Sequence, residues 1–363
     1  MFLQTIKLEN ILSFKDAELE LRPLNVLIGA NASGKSNLLR AIGLLKEIPR
    51  DFGAEIARGG GVRAWINQRT SGTASIEILG EDRFAGSFPY RISFQEALSV
   101  EIVGEDCGAL FQRDGGRLVL SGKEYSDAIP VAKSVLSEFR HPGLGGLLQI
   151  AIALRMIGLF RKFKTGPDSQ IRTGTAATAS SYALWEDGGN LAMMLHERNL
   201  QTGLNRINES LKRFFDLFSE VIPSVRDGIA QFYVREPSGL FAAMSLSDGT
   251  LQLLCLLMVL LDPDPPSLIC IEEPEAGLHP DAIRMIAELL VEASTRTQVI
   301  VTTHSPTLVD ALTDQPEAVV VCERDFDGFT QFRRLQTADL DSWLERYSLG
   351  QLWQKREIGG NRW

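Results

Sequence analysis

Gly29-Ala30-Asn31-Ala32-Ser33-Gly34-Lys35-Ser36 fits the pattern G-x-x-x-x-G-K-[ST], and the rest of the chain is read outward from it. Glycines at both ends of such a loop let the backbone curl until successive amide N–H groups face one point, where phosphate oxygens can sit. Leu24-Asn25-Val26-Leu27-Ile28 leads in as an apolar strand. Ser36 to Ile48 leads out as a helix with Leu38, Ile42 and Leu45 on one face, and Pro49 predicts its end. That helix points the positive end of its dipole at the loop. The pattern assigns Lys35 to the β- and γ-phosphates and the Ser36 hydroxyl to Mg²⁺. The candidate nucleotide-binding run is therefore Gly29, Ala30, Asn31, Ala32, Ser33, Gly34, Lys35, Ser36 and Asn37. A glycine-rich turn without nucleotide would need neither the strand before it nor the amphipathic helix after it.

Three further segments carry chemistry. Leu268-Ile269-Cys270-Ile271-Glu272-Glu273 reads as a buried strand ending in two carboxylates. Beside the loop-bearing strand, its C-terminal end would lie where α/β sheets bind ligands. Glu272 would then meet the Mg²⁺ shell, and Glu273 would orient and deprotonate the attacking water. The same two acids could instead be a solvated strand end; the phosphate loop upstream favours the chemical reading. Gln298 to Thr303 is another apolar strand, followed by His304-Ser305-Pro306, and such a histidine is either structural or a donor to the γ-phosphate. Leu246-Ser247-Asp248-Gly249-Thr250 precedes the apolar helix LQLLCLLMVLL; Ser247 suits an N-cap and Gly249 permits close backbone approach.

Composition bounds the class. With 363 residues, about two domains of ~150 residues are expected. Hydrophobic residues make up 44% and charged residues 23%, which argues against disorder or a fibrous repeat. Acidic residues outnumber basic ones 46 to 37, a net charge of −9, which excludes coating nucleic acid by overall charge. Leu253 to Leu261 is about half of a bilayer crossing, and MFLQTIKLEN lacks the basic and apolar regions of a signal peptide. Cysteines 107, 255, 270 and 322 form no C-x-x-C pair and read as buried thiols. No membrane contact and a cytoplasmic location are expected.

Residues 1–128 read as short strands around the phosphate loop, with 73–79, 89–95 and 99–105 alternating as an antiparallel β subdomain. Residues 129–228 read as an inserted helical lobe, with helices over 147–163, 190–198 and 204–221 and a small polar loop over 165–181. Residues 229–363 alternate strand and helix, which argues a parallel sheet; the first and last segments would together form one nucleotide-binding domain.

Taken in order, the phosphate loop, S-x-G at a helix start, a hydrophobic strand with Glu-Glu-Pro, and Thr-His-Ser resemble an ABC-type ATPase head. The likeness is to the SMC, RecF and OLD-like branch, specifically its AAA_21-type predicted ATPases. Ile6 to Phe14 looks like that branch's opening strand, Glu272 to Pro280 like its Walker B and D-loop segment, and Trp343 to Gly360 like the tail of stand-alone members. The resemblance implies a P-loop α/β fold with a mixed sheet, and ATP hydrolysis with Mg²⁺. Further implied are a homodimer closed head to tail around two ATP, with Ser247 and Gly249 of one subunit reaching the γ-phosphate in the other, and His304 and Glu273 as catalytic residues.

There are departures. Asp248 stands where transporters have glycine, so its charge must point away from phosphate; Glu272 replaces the commoner aspartate. Gln95 is the candidate Q-loop glutamine, expected near the metal with Ser36 and Glu272. Glu323, Asp325 and Asp327 echo a Toprim nuclease, yet Val319 to Leu335 reads better as a β-hairpin turning at Asp327-Gly328. No long heptad run provides SMC-like arms. Arg155, Arg161, Lys162 and Lys164, with Arg206, Lys212 and Arg213, could grip a DNA backbone or could be an ordinary solvated face. The switch would serve a DNA-related process, repair or defence. Alternatively it would gate a separately encoded nuclease or toxin partner without binding DNA itself.

Overall fold

A computed structural model describes residues 2–70, 72–82, 86–115, 117–125, 129–138 and 145–360. Among these residues the strands form three sheets. The one that positions the site is built from β1 (Leu24–Ile28), which feeds the phosphate loop; α1 (Lys35–Arg58); β2 (Gly158–Phe160); α2 (Asp248–Leu260); β3 (Leu268–Glu272); α3 (Pro280–Ala293); β4 (Gln298–Thr302); and the hairpin of β5 (Val319–Arg324) and β6 (Thr330–Arg334). Spatial order is β2-β3-β4-β1-β5-β6, parallel throughout except for the final hairpin partner. Each central strand is apolar on both faces because helices cover both, with α2 contributing nine buried residues from Leu251 to Leu260. The C-terminal ends of β1, β3 and β4 therefore converge on one edge, where the phosphate loop lies.

The second sheet has eight antiparallel strands, including Phe2–Ile11, Phe14–Glu20, Ala74–Asp82, Gly86–Glu96 and Val100–Asp106. Their alternation buries one face, Ile76, Ile78, Tyr90, Ile92, Phe94 and Ile102, against α1. Residues 126–128, where the expected lobe boundary falls, lie outside the described residues. The Asp327-Gly328 turn forms as expected, with Gly328 at φ +81°.

The helix after the phosphate loop breaks two residues past Pro49, at Asp51 (φ −152°, ψ 87°), close to the expected end; the Asp51 carboxylate accepts from the Ala54 N–H at 3.0 Å and starts a second helical stretch, so α1 continues across the break to Arg58. Three expectations are corrected. The segment 147–163 is helical only over Gly145–Arg155. Gly158-Leu159-Phe160 instead pairs with Ile269, Cys270 and Ile271 as an edge strand, since a short all-apolar run has no period that separates strand from helix. The helix expected over 204–221 spans only Asn205–Lys212, and Glu220–Arg226 is a strand pairing with Ile229–Glu236 in the third sheet. The loop 165–181 carries a helical turn, Gln170–Thr173, and a short strand, Thr175–Ala176. Thus 129–228 contains helices but also one strand of the central sheet and two of the third. Among the described residues no helix is long and apolar enough to cross a membrane.

Candidate functional site

The phosphate loop is held from below. Thr330, at the start of β6, donates its hydroxyl to the Ser33 carbonyl (2.8 Å) and accepts from the Ser13 hydroxyl (2.7 Å), while Arg324 Nε donates to the Ala32 carbonyl (2.8 Å). Gly34 has φ +114°, and a Cβ there would run into the Thr330 side chain, so the loop can take this path only with glycine. Lys35 is buried, and its Nζ donates to the Gly29 carbonyl (2.7 Å) and the Ala30 carbonyl (3.1 Å). Burial lowers the ammonium's pKa; Cys322 and the carboxylates of Glu273, Glu275 and Glu272 oppose that. A cation kept beside backbone oxygens in this way exchanges them readily for phosphate oxygens. Asn37, expected at the nucleotide, instead donates to Ser13 Oγ at 2.9 Å and fixes the start of α1.

The paired register of β3 and β4 sets Glu272 opposite Thr302. One step on, Glu273 adopts φ +47°, the left-handed region that a non-glycine residue enters at a cost of about 1–3 kcal/mol. Its N–H donates to the Thr302 carbonyl at 2.9 Å, which holds the strained turn. His304 follows β4, and its Nε2 stands 3.6 Å from Glu273 Oε1, so the two expected catalytic residues are neighbours. Burial and the Lys35 charge lower the His304 pKa, and the imidazole is neutral near pH 7.

Glu275, in sequence simply part of the turn after Glu273, ties these strand ends together. Its Oε1 accepts from Thr303 Oγ1 and from the His304 N–H, both at 2.7 Å. Adjacent acids drew attention to Glu272 and Glu273; only contact across the sheet reveals Glu275.

The signature is organised by another residue the sequence did not single out. Arg172 donates from Nε to the Thr165 carbonyl (2.6 Å), from Nη1 to the carbonyls of Leu246 (2.6 Å), Met244 (3.0 Å) and Ala243 (3.3 Å), and from Nη2 to Asp248 Oδ1 (2.8 Å). That bond, first among the causes, holds the Asp248 carboxyl below its ordinary range and neutralises the acid at the mouth of a helix dipole. Ser247 caps α2 by accepting from the Thr250 N–H at 3.1 Å. A Cβ on Gly249 would come within 2.7 Å of the Gly277 carbonyl, so glycine lets the signature pack on the turn after Glu273.

A hollow of about 290 Å³ is lined by Gly29, Ala30, Asn31, His304, Trp353 and Gly360. The helix Leu349–Gln354 and the segment after it thus wall the phosphate loop in the same chain, and the Gly360 N–H donates to Glu323 Oε1 at 2.7 Å. The pair Gly359-Gly360, both at positive φ, was the available signal. Ser247 and Gly249 do not line this hollow. Gln95 is also apart, in the strand Gly86–Glu96 of the antiparallel sheet, donating to Glu101 at 3.0 Å; the structure does not bring it to Ser36 and Glu272, because its strand belongs to a different layer. The end of β2, beside the carboxylates, instead bears Arg161 and Lys162, which share a hollow of about 490 Å³ with Glu272, Glu273 and Gly277.

Three buried oxygens at this edge, Ser33 Oγ, Thr302 Oγ1 and Glu275 Oε2, lack a hydrogen-bond partner among the described residues. Buried polar groups are normally satisfied; among the described residues the Ser33 and Thr302 hydroxyls are without a partner and can donate to phosphate oxygens, whereas the Glu275 oxygen only accepts and would need a donor such as water. Among the described residues no three His, Cys, Asp or Glu side chains converge to hold a metal alone. Ser36 and Glu272 suit Mg²⁺ as an oxygen pair that shares the ion with phosphate.

Comparisons agree with this geometry. Residues 182–310 match the family model AAA_21, described as "AAA domain, putative AbiEii toxin, Type IV TA system", and residues 1–127 match AAA_15, "AAA ATPase domain". No curated protein sequence matches the chain significantly. Among solved structures, an Smc head bound to the C-terminal winged-helix domain of ScpA is 15% identical with a TM-score of 0.58, covering 94% of this chain and 100% of that one. The Smc head domain with an extended coiled coil, bound to the C-terminal domain of ScpA derived from Pyrococcus furiosus, is 13% identical with a TM-score of 0.57, covering 95% and 98%. With a phosphate loop, an acid-ended strand beside it and a capped apolar helix on one mixed sheet, the chain has the fold of an ABC-like ATPase head and matches AAA-type ATPase family models over 1–127 and 182–310.

Proposed function

We propose that two copies of this ATPase head close head to tail around ATP, each lending Ser247 and Gly249 to the other's phosphate loop. The observation that supports this reading most directly is that Ser247 is exposed and that neither it nor Gly249 lines the hollow of Gly29, Asn31 and His304 in its own chain. Lys35, leaving its carbonyl partners, neutralises the β- and γ-phosphates. Mg²⁺, held by Ser36 and Glu272, would draw charge from the phosphate oxygens. Glu273, fixed by its strained turn, takes the proton of the attacking water, and His304 donates to the γ-phosphate and registers its departure. Moving the open–closed equilibrium from 1:99 to 99:1 takes about 5.5 kcal/mol, which the contacts across the interface would supply.

The process driven by closure follows from charge. Of the seven basic residues that could have gripped duplex, Lys164 is paired with Asp187 (3.0 Å), Arg206 with Glu292 (2.6 Å) and Arg213 with Glu288 (3.4 Å), while Arg155, Arg161, Lys162 and Lys212 have no ion pair among the described residues. Neutralising three of the seven breaks up the basic face that a DNA backbone would need, which favours gating of a separately encoded protein partner. The two Smc heads above are described as bound to a protein, ScpA, which is compatible with that reading. Sedimentation of Glu273→Gln with ATP tests closure: a stable dimer is expected, and a monomer at saturating ATP overturns it. ATPase rates with and without duplex DNA test the second part, with no stimulation expected.

A further inference from the structure

We propose that the cleft between α1 and β2 is a second anion site, built for a small phosphate-bearing ligand and separate from the phosphate loop. It is a cavity of about 470 Å³, lined by residues of α1 from Arg40 to Arg58, by Gly59 and Trp65, by the end of β2 and by Glu186 and Asp187. Its volume lies within the ~300–1,000 Å³ usual for small-ligand sites. Room for it comes from two glycines. A Cβ on Gly43 would come within 3.1 Å of Leu159 and 3.5 Å of Arg161 Nη2, and a Cβ on Gly59 would collide with the Trp65 indole.

Charge shows what it would hold. Every acid lining the cleft already has a cation: Glu47 has Arg50 (2.9 Å), Asp187 has Lys164 (3.0 Å), Glu55 has Arg58 and Glu186 has Lys46. Arg40, Arg161 and Lys162 are left with no ion pair or hydrogen bond among the described residues. Arg40 is half-buried, lies 4.8 Å over the Trp65 ring, and has its pKa lowered by burial and then by the Arg161 charge. Arg161 reaches α1 at Gly43, one turn on from Arg40, so two guanidiniums face one cleft, and an anion there would relieve their repulsion. Trp65 closes the floor: the residue is 2% exposed, and its Nε1–H, packed against Gly59, has no acceptor among the described residues. Two planar forks and one ammonium, all donors, match the acceptor-only oxygens of phosphate.

The cleft adjoins the hydrolysis site, because Arg161 and Lys162 also line the hollow with Glu272 and Glu273. A bound anion would reset the field of both cations at the carboxylates, so occupancy would be felt in the ATPase rate.

Calorimetry with pyrophosphate on the Lys35→Ala variant, whose phosphate loop no longer competes, reads the site. Binding that weakens steeply with salt is expected, with Arg161→Gln and Arg40→Gln each lowering affinity at least tenfold. Arg161 is exposed, so Arg161→Gln keeps the test valid should Arg40→Gln disturb Trp65; the melting temperature of each variant checks folding. No binding at millimolar pyrophosphate, or binding indifferent to Arg161→Gln, overturns the proposal. Capture of an oligonucleotide through these residues without any pyrophosphate binding overturns the small-ligand assignment.

Discussion

Two buried polar clusters in this molecule differ in one respect. In the antiparallel sheet, Glu105 is 1% exposed, yet its carboxylate accepts from the Ser134 hydroxyl (2.6 Å), the Val135 N–H (2.8 Å) and the Tyr90 hydroxyl (2.9 Å), with Arg113 at 4.0 Å. At the edge of the parallel sheet, Ser33, Thr302 and Glu275 each bury an oxygen with no hydrogen-bond partner among the described residues. The first cluster is complete, and its removal should cost stability. The second is complete only with a ligand, and its alteration should cost function. Satisfaction, more than burial or charge, separates framework from site.

The largest effect tests the site side. Lys35→Ala should lower ATP affinity at least a hundredfold by fluorescence titration, and leave the melting temperature unchanged or raised, since burial already disfavours its charge. A large loss of stability would erase the contrast. Next, Glu105→Ala should cost about 3 kcal/mol in urea unfolding, because Arg113 and three donors lose their acceptor, while ATPase at 15 °C stays near wild type. Arg172→Ala should slow hydrolysis at least tenfold without changing ATP affinity. Mixing it with Lys35→Ala should restore about a quarter of the wild-type rate: half of random dimers are mixed, and each mixed dimer has one intact composite pocket. No recovery on mixing would overturn the assignment of Ser247 to the partner's site, whereas a wild-type rate for Arg172→Ala alone would remove its role. Ser33→Ala is subtler: stability should hold, since the hydroxyl is unsatisfied without ligand, and KM for ATP should rise a few fold.

What could be read in the sequence follows the same division. The phosphate loop, the Glu272-Glu273 strand end and the Ser247-Gly249 segment are contiguous patterns, and the structure has a strand leading into the loop, a strand ending at Glu272 and a helix capped by Ser247 at those places. Glu275 and Arg172 act through contacts 28–29 and 71–76 residues away in sequence, which no local pattern contains. Gln95 was misplaced for the converse reason: an alternating strand says which face a residue takes, not which layer its sheet joins. The β2 strand was read as helix because apolar neighbours on both faces leave no period to detect. Basic residues at 155–164 looked like one patch, but folding sends Lys164 to Asp187 and Arg161 to the cleft beside Arg40.

The smallest effect distinguishes the two clusters by the sign of their pH dependence. Burial, then Lys35, holds the His304 pKa below 6.5, while Glu273 and Glu275 pull it back only in part. Between the folded pKa and 6.5 the unfolded chain binds more protons than the native one, so the contribution of His304 is full above pH 6.5 and falls away as pH drops. Glu105 runs the other way: burial raises its carboxyl, the native state binds the extra proton, and its contribution is greatest in acid and is lost as pH rises through the raised pKa. Melting temperatures recorded from pH 7.5 down to 5.5 should therefore fall less steeply in His304→Gln than in wild type, by a degree or so given the half-exposed ring. If the two slopes coincide, the imidazole is not held neutral by its surroundings, and the reading of His304 as a donor poised beside Glu273 loses its electrostatic support.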